Sequence, residues 1–326
     1  MDMDCSILLA TRDRSASLER TLASIAAQKA PGISWEVLVA DNGSSDDTPA
    51  VLEGWAGRLP LRTATEPVPG KNRALNRVLG MARGTLLLFT DDDVVLAPGW
   101  LAAHAAAAAR WPGHQIFGGI IRPRFPPDPP AWAAREPFAS VLFAAYDFGG
   151  TEAPTDQLPF GPNYSLRAEC LAATTFDDAV GPNGSEYAMG GETELLRRLA
   201  RGGAKAVYVP DALVEHVVRP EQLTEQFVLD RARRFGRGLV RMGDVTWSPH
   251  RLFGAPRYLT RQLLEAWVAR AAARLRGDAH RRLVADFRCQ VVLGSIAECR
   301  ETGRPLDPAT AERGAGRGHP IAPAIR

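Results

Sequence analysis

The stretch LLLFTDDDVVLAPGW (residues 86–100) joins an apolar run to three consecutive aspartates, Asp91, Asp92 and Asp93. With Gly84 and Thr85 in front, the apolar part reads as a buried strand. Packing that strand requires none of the acids, and three adjacent carboxylates repel one another. They are either turn residues leading to the next helix, with Pro98 near its first turn, or the seat of something positive. The neighbouring segments bear on the choice. CSILLAT (5–11) and WEVLVAD (35–41) are strands apolar nearly throughout, and LRTATEP (61–67) is a shorter one. Helices alternate with them: 15–28, with Leu18, Leu22 and Ile25 at helical spacing; about Thr48 to Trp55, after the turn NGSSDD with its several N-cap residues; Gly70 to Arg83; and about Pro98 to Trp111. This alternation predicts a parallel sheet covered on both faces. Ligands of such sheets bind at the carboxyl ends of the strands. Thr11, Asp41 and the three aspartates all fall there.

Further along, Ile116–Ile121 reads as another strand, and RPRFPPDPPAWAAREPF (122–138) as a long loop whose prolines exclude central-strand pairing. Residues 158–190 read as loop with one short helix. A helix runs from about Glu192 to Arg201, closed by Gly202, and 204–218 is extended. From Glu221 the pattern is helical and rich in arginine, and residues 303–326 are expected to be disordered. The domain organisation read from this pattern is an α/β catalytic domain over 1–220, with halves of about 1–120 and 121–220. A helical extension over 221–302 and the tail follow it.

Charge sets the extension apart. The 326-residue chain carries a net +2, but from Glu221 onward there are 19 arginines and no lysine against 11 acids, a net +8, leaving −6 for the first 220 residues. No uncharged apolar run is long enough to span a membrane, and the acidic N-terminus does not read as a secretory signal. Four scattered cysteines without a C-x-x-C pair point to a reducing, cytoplasmic setting. The basic residues lack interleaved aromatics or a nucleic-acid-reading motif, so nucleic acid is not an expected partner.

Several motifs stand in a fixed order: SILLATRDR (6–14), VLVADNGSSDDT (37–48), PGKNRALNRVLGMARG (69–84), LLLFTDDDVVLAPGWL (86–101), FGPNYSLRAECL (160–171) with FDDAVG (176–181), GGETELLRRL (190–199) and YVPDALVEH (208–216). In this order they resemble the family-2 nucleotide-sugar glycosyltransferases of GT-A fold, over about residues 4–240. The resemblance implies a mostly parallel sheet with helices on both faces. It also implies an inverting transfer of a sugar from a nucleotide-sugar donor, by default a UDP-sugar, to an acceptor hydroxyl in polysaccharide, glycolipid or other glycoconjugate synthesis.

The same resemblance assigns residues. Thr11, Arg12, Asp41 and Asn42 would hold the nucleoside; an Asp can accept hydrogen bonds from a base imide or from ribose hydroxyls. Lys71 and Arg73, with Asn72 between them, open a helix whose free N–H groups favour an anion; PGKNR is not a Walker loop. The aspartates align with the family's D-x-D motif: Asp91 toward the nucleotide, Asp92 assisting, Asp93 on a divalent cation, Mn2+ or Mg2+, with His216 as its second ligand. The family's acidic pair is altered here, Gly191 standing at the first acidic position and Glu192 at the second. Glu192, at the mouth of its helix, is the expected general base; Glu194, placed on a more solvated face, stays open as the alternative.

Two other readings compete: a sugar-nucleotide nucleotidyltransferase, which lacks the expected Gly-rich loop after the first strand, and a non-catalytic nucleotide-sugar-binding protein. RYLTRQLLEAWVARAAARLRG (257–277) and HRRLVADFRCQVVLGSIAECR (280–300) are arginine-rich and amphipathic. They suit packing on the catalytic domain, a homo-oligomer or partner contact, or an anionic membrane surface.

Overall fold

The computed structural model describes residues 3–303 except Ser185, Trp247 and Phe253; the tail expected to be disordered lies, Gly303 apart, outside these residues. In chain order the elements are β1 (Met3–Thr11), α1 (Ser15–Ala26), β2 (Trp35–Asp41), α2 (Thr48–Trp55), β3 (Leu61–Thr65), α3 (Lys71–Leu79), β4 (Gly84–Thr90), β5 (Val94–Leu96), α4 (Trp100–Arg110), β6 (Ile116–Arg124), α5 (Phe138–Phe143), β7 (Ala153–Thr155), β8 (Asn163–Arg167), α6 (Gly191–Arg201), β9 (Ala206–Val217), α7 (Glu225–Arg241), β10 (Arg251–Leu252), β11 (Ala255–Pro256), α8 (Arg257–Leu275) and α9 (Ala279–Thr302). No helix among the described residues is long and apolar enough to cross a membrane.

Contacts divide the chain into two compact units. The first comprises residues 3–125, 143–178 and 191–218 and holds a nine-stranded sheet ordered β3-β2-β1-β4-β8-β6-β9-β5, with β7 also on β9. The first four strands are parallel, with Ile7 between Val37 and Leu88. Strand β8 runs against β4 and β6, β9 runs with β6, and β5 and β7 run against β9. Six strands therefore share one direction, as the alternating pattern predicts. Leu8, Leu38, Leu87 and Phe89 point to one face, where Leu75 and Val78 of α3 and Leu195 and Leu196 of α6 cover them. Each such side chain contributes roughly 1.5–3 kcal/mol on leaving water. Ile7, Leu9, Val37 and Val39 alternate to the opposite face and are equally buried.

Two expectations change. Residues 158–190 are not all loop and short helix: β8 lies in mid-sheet, between β4 and β6. Its five residues are too few for a legible period, and its strand character comes from ladders on both sides. Strand β6 also runs three residues past Ile121, pairing Pro123 with His216 on β9. Its pairing with β8 has ended at Gly118, so a proline there breaks no bond on that side.

The second unit comprises 126–142, 179–190 and the chain from 219. Helices α7 and α8 both pack on α9, around Val240, Leu259, Leu263, Ala266, Cys289 and Val292. Helices α7 and α9 approach closely because both carry glycine at the crossing: a Cβ on Gly236 would stand 1.9 Å from the Val291 carbonyl oxygen, and one on Gly294 would stand 2.0 Å from that of Arg233. Beside them Arg237 donates to Glu298 at 3.0 Å and to Glu301 at 2.7 Å, and Arg241 pairs with Glu298. Arg237 and Glu298 are buried, so the extra partners offset a desolvation cost that one pair alone would not.

Candidate active site

The site is built at the carboxyl ends of β1, β2 and β4. Thr11 and Asp41 end their strands side by side. Asp41 Oδ1 accepts the Ser44 N–H at 2.9 Å, shaping the turn after β2. Asn42 is buried and its side chain is occupied within the protein: it donates to the carbonyls of Glu66 and Val68, both at 2.8 Å, and accepts the Gly70 N–H at 2.7 Å. It thus holds the loop leading to α3. Arg12 is exposed, and its ion-pair partner among the described residues is the neighbouring Asp13, at 3.7 Å.

The three aspartates occupy the turn between β4, in mid-sheet, and β5, at its edge. Strand β5 pairs with β9 so that Val94 faces His216, and the Val217 N–H donates to the Asp93 carbonyl at 2.9 Å. That pairing brings the triplet and His216, more than a hundred residues apart, together. Each carboxylate then meets a positive or donor group. Lys71 donates to Asp91 at 2.5 Å. Asp92 accepts the Thr11 hydroxyl at 2.8 Å. Arg14 Nη1 donates to both Asp92 and Asp93, at 2.8 and 2.7 Å. His216 Nε2 stands 3.5 Å from Asp93. The repulsion posed by three adjacent acids is thereby met largely by the chain's own cations.

Burial and these partners separate the acids. Burial pushes the Asp92 carboxyl up, to about 6, against the opposing pull of Arg14. Burial works the same way on Asp93, but His216, Arg14 and Lys71 outweigh it and hold that carboxyl well below the ordinary range. Burial alone would lower the His216 pKa, yet Asp93 raises it on balance. Lys71 is likewise raised: Asp91 and Glu192 more than offset its desolvation.

No group of three or more His, Cys, Asp and Glu side chains among the described residues forms a ready-made metal cage. Asp93 and His216 nevertheless fit a divalent cation by their chemistry. The His216 Nδ1–H donates to the Phe143 carbonyl at 2.8 Å, which turns Nε2 toward Asp93. A backbone carbonyl holding one ring nitrogen while the other faces a carboxylate is the usual support of a ligating histidine. Phosphate oxygens and water would have to complete the coordination.

Helices α3 and α6 begin beside this turn. Glu192 lies against the Gly161 backbone: a Cβ there would stand 2.9 Å from its Oε1. Its charge reaches Lys71 and Tyr164. Glu194 is not on a solvated face. It accepts two bonds from Arg198, at 3.0 and 2.7 Å, and its side chain is 17% exposed. Gly191 is needed because Asn72 fills the space beside it: a Cβ would stand 2.5 Å from Asn72 Nδ2, which donates to the Asp177 carbonyl at 2.8 Å. Arg73 points away to Asp178 at 3.6 Å and is exposed.

Residues 6–162 match the profile of glycosyl transferase family 2, the family that the motifs in this part of the chain resemble. Validoxylamine A glucosyltransferase of Streptomyces hygroscopicus subsp. limoneus is 35% identical over 109 residues, 32% of this chain. The chain matches only about a quarter, 24%, of that relative's length. Among solved structures, the mannosyltransferase PcManGT from Pyrobaculum calidifontis, in complex with GDP-Man and Mn2+, superposes with a TM-score of 0.61 at 21% identity, covering 93% of this chain and 88% of that one. TarS 1–349 of S. aureus, in complex with UDP, gives 0.53 at 16% identity, covering 93% and 91%. At these identities the likeness is one of fold, and the fold is the GT-A fold the motifs imply.

Proposed function

We propose that the chain is an inverting glycosyltransferase that moves a sugar from a nucleotide-sugar to an acceptor hydroxyl, with Glu192 as general base. One observation carries the reading: the acid triplet, Lys71, His216 and the start of α6 converge where a parallel sheet binds ligands. The nucleoside would lie at the ends of β1 and β2 against Thr11 and Asp41, and Arg12 and Arg73 are exposed enough to reach the donor. Asn42 serves by holding the 66–70 loop rather than by touching the nucleotide. Lys71 places a positive charge beside the diphosphate. Glu192 takes the acceptor's hydroxyl proton as that oxygen attacks the anomeric carbon. The bond from that carbon to the diphosphate breaks, and its electron pair leaves with the nucleoside diphosphate. Arg198 occupies Glu194 in an ion pair, which makes it the poorer base. Asp93 and His216 would hold a divalent cation, Mn2+ or Mg2+, which would supply Lewis acidity to the leaving diphosphate. A UDP- or GDP-sugar is the donor class to try first, since the two fold relatives are solved with UDP and GDP-Man.

Calorimetric titration with UDP, GDP and dTDP, with and without Mn2+, tests the site. One nucleotide should bind in a metal-dependent way, and Asp93→Ala should abolish the dependence. Binding of none of them would overturn the reading. Glu192→Gln should keep nucleotide affinity while slowing nucleoside diphosphate release by about 10²–10⁴-fold; unchanged turnover would exclude Glu192 as the base.

A further inference from the structure

We propose that the outer face of α8 is a docking surface for an anionic lipid bilayer. The helix has two apolar sides. Leu259, Leu263, Ala266 and Ala273 are buried in the core of the second unit. A second set, Leu264, Trp267, Val268 and Leu275, falls within a sector about 100° wide at the α-helical pitch, roughly opposite the first. These four are 53%, 49%, 70% and 90% exposed. Only three other large apolar side chains among the described residues are comparably exposed, so the set is a patch and not scatter.

Charge identifies the occupant. Arg257, Arg261, Arg274 and Arg276 are exposed beside the apolar sector. Glu265 is the only acid in the helix, and it stands 3.4 Å from Arg261. Arg257 and Arg261 also line an open hollow with His250, Leu252 and Leu264, which sets guanidinium groups next to apolar carbon. Such a pairing fits a phosphate headgroup above acyl chain, with arginine stems reaching back to the charged layer. Trp267 has the amphipathic ring that favours that boundary. A second copy of this face would bring arginines against arginines. Residues 304–326 carry four arginines and two acids, so they too would meet the rim with like charge.

The experiment is flotation of the full chain with phosphatidylcholine vesicles, with and without about a third phosphatidylglycerol, at low and high salt. Sedimentation velocity on the lipid-free protein runs alongside. The chain should float with the anionic vesicles, weakly or not at all with the neutral ones, and less at high salt. Trp267→Glu with Val268→Glu should lower the apparent partition coefficient by about tenfold or more. Arg257→Gln with Arg261→Gln should weaken binding to anionic vesicles alone. All four positions are exposed, so circular dichroism should match the parent. No flotation, equal binding to neutral vesicles, or glutamate variants that float like the parent would overturn the proposal. So would self-association abolished by the same variants in a chain that ignores lipid.

Discussion

Arg14 is the residue on which the acid cluster depends most. It sits two positions past the expected Arg12, and one of its nitrogens serves both Asp92 and Asp93. The intervening Asp13 has φ of 50°, a left-handed conformation that Asp tolerates better than most residues. That turn sends Arg12 outward and Arg14 back over the carboxylates. Replacing Arg14 with Gln leaves two buried carboxylates undercompensated. Because the guanidinium is about a third exposed, 36%, the cost should be about 1–3 kcal/mol, below that of a fully buried pair. Urea denaturation would measure it, and Arg14→Lys, which retains the charge without the fork, should fall between the two.

At the scale of elements, the starts of α3 and α6 act as a pair. Helix propensity favours Ala over Gly by about 1 kcal/mol, yet Gly191→Ala should destabilise the protein by about 1–3 kcal/mol. The new methyl would displace Asn72 and its bond to Asp177. Combining it with Asn72→Ala should cost less than the two single changes added together, which equilibrium unfolding of all four proteins would show. The glycine that departs from the family's acidic pair therefore has a steric cause. Strand β8 illustrates the opposite limit of legibility: NYSLR has no decisive local pattern, and its place in mid-sheet comes from partners far along the chain.

For the whole molecule, the buried His104 sets an acid limit on stability. Its Nε2–H donates to Asn163 Oδ1 and its Nδ1 accepts the Ser165 hydroxyl, both at 3.0 Å. The neutral ring is thus fully satisfied, and a proton on Nδ1 would break the second bond. Burial lowers its pKa from 6.5 to about 4. The unfolded chain therefore takes up this proton first, so the contribution is absent as a penalty above about pH 6.5 and grows as pH falls toward 4, to about 3 kcal/mol. Thermal melts across that range should show the loss, and His104→Gln should flatten that part of the profile while lowering stability at neutral pH. Nothing in the sequence singles out this histidine, because its partners Trp100, Asn163 and Ser165 come from α4 and β8.

By itself the sequence determined the alternating strands and helices of the first 110 residues apart from β5, the strand ends where Thr11, Asp41 and the aspartates lie, and the motifs that mark glycosyl transferase family 2. These are legible because hydrophobic period and turn chemistry act over a few residues. Tertiary structure alone decided which polar groups meet. It turned Arg14 inward and Arg12 outward, occupied the Asn42 side chain, tied Glu194 to Arg198 and set His216 beside Asp93. It also left one apolar side of α8 open while burying the other. Each outcome depends on the direction of a side chain relative to an element distant in sequence, and only the packed chain supplies that direction.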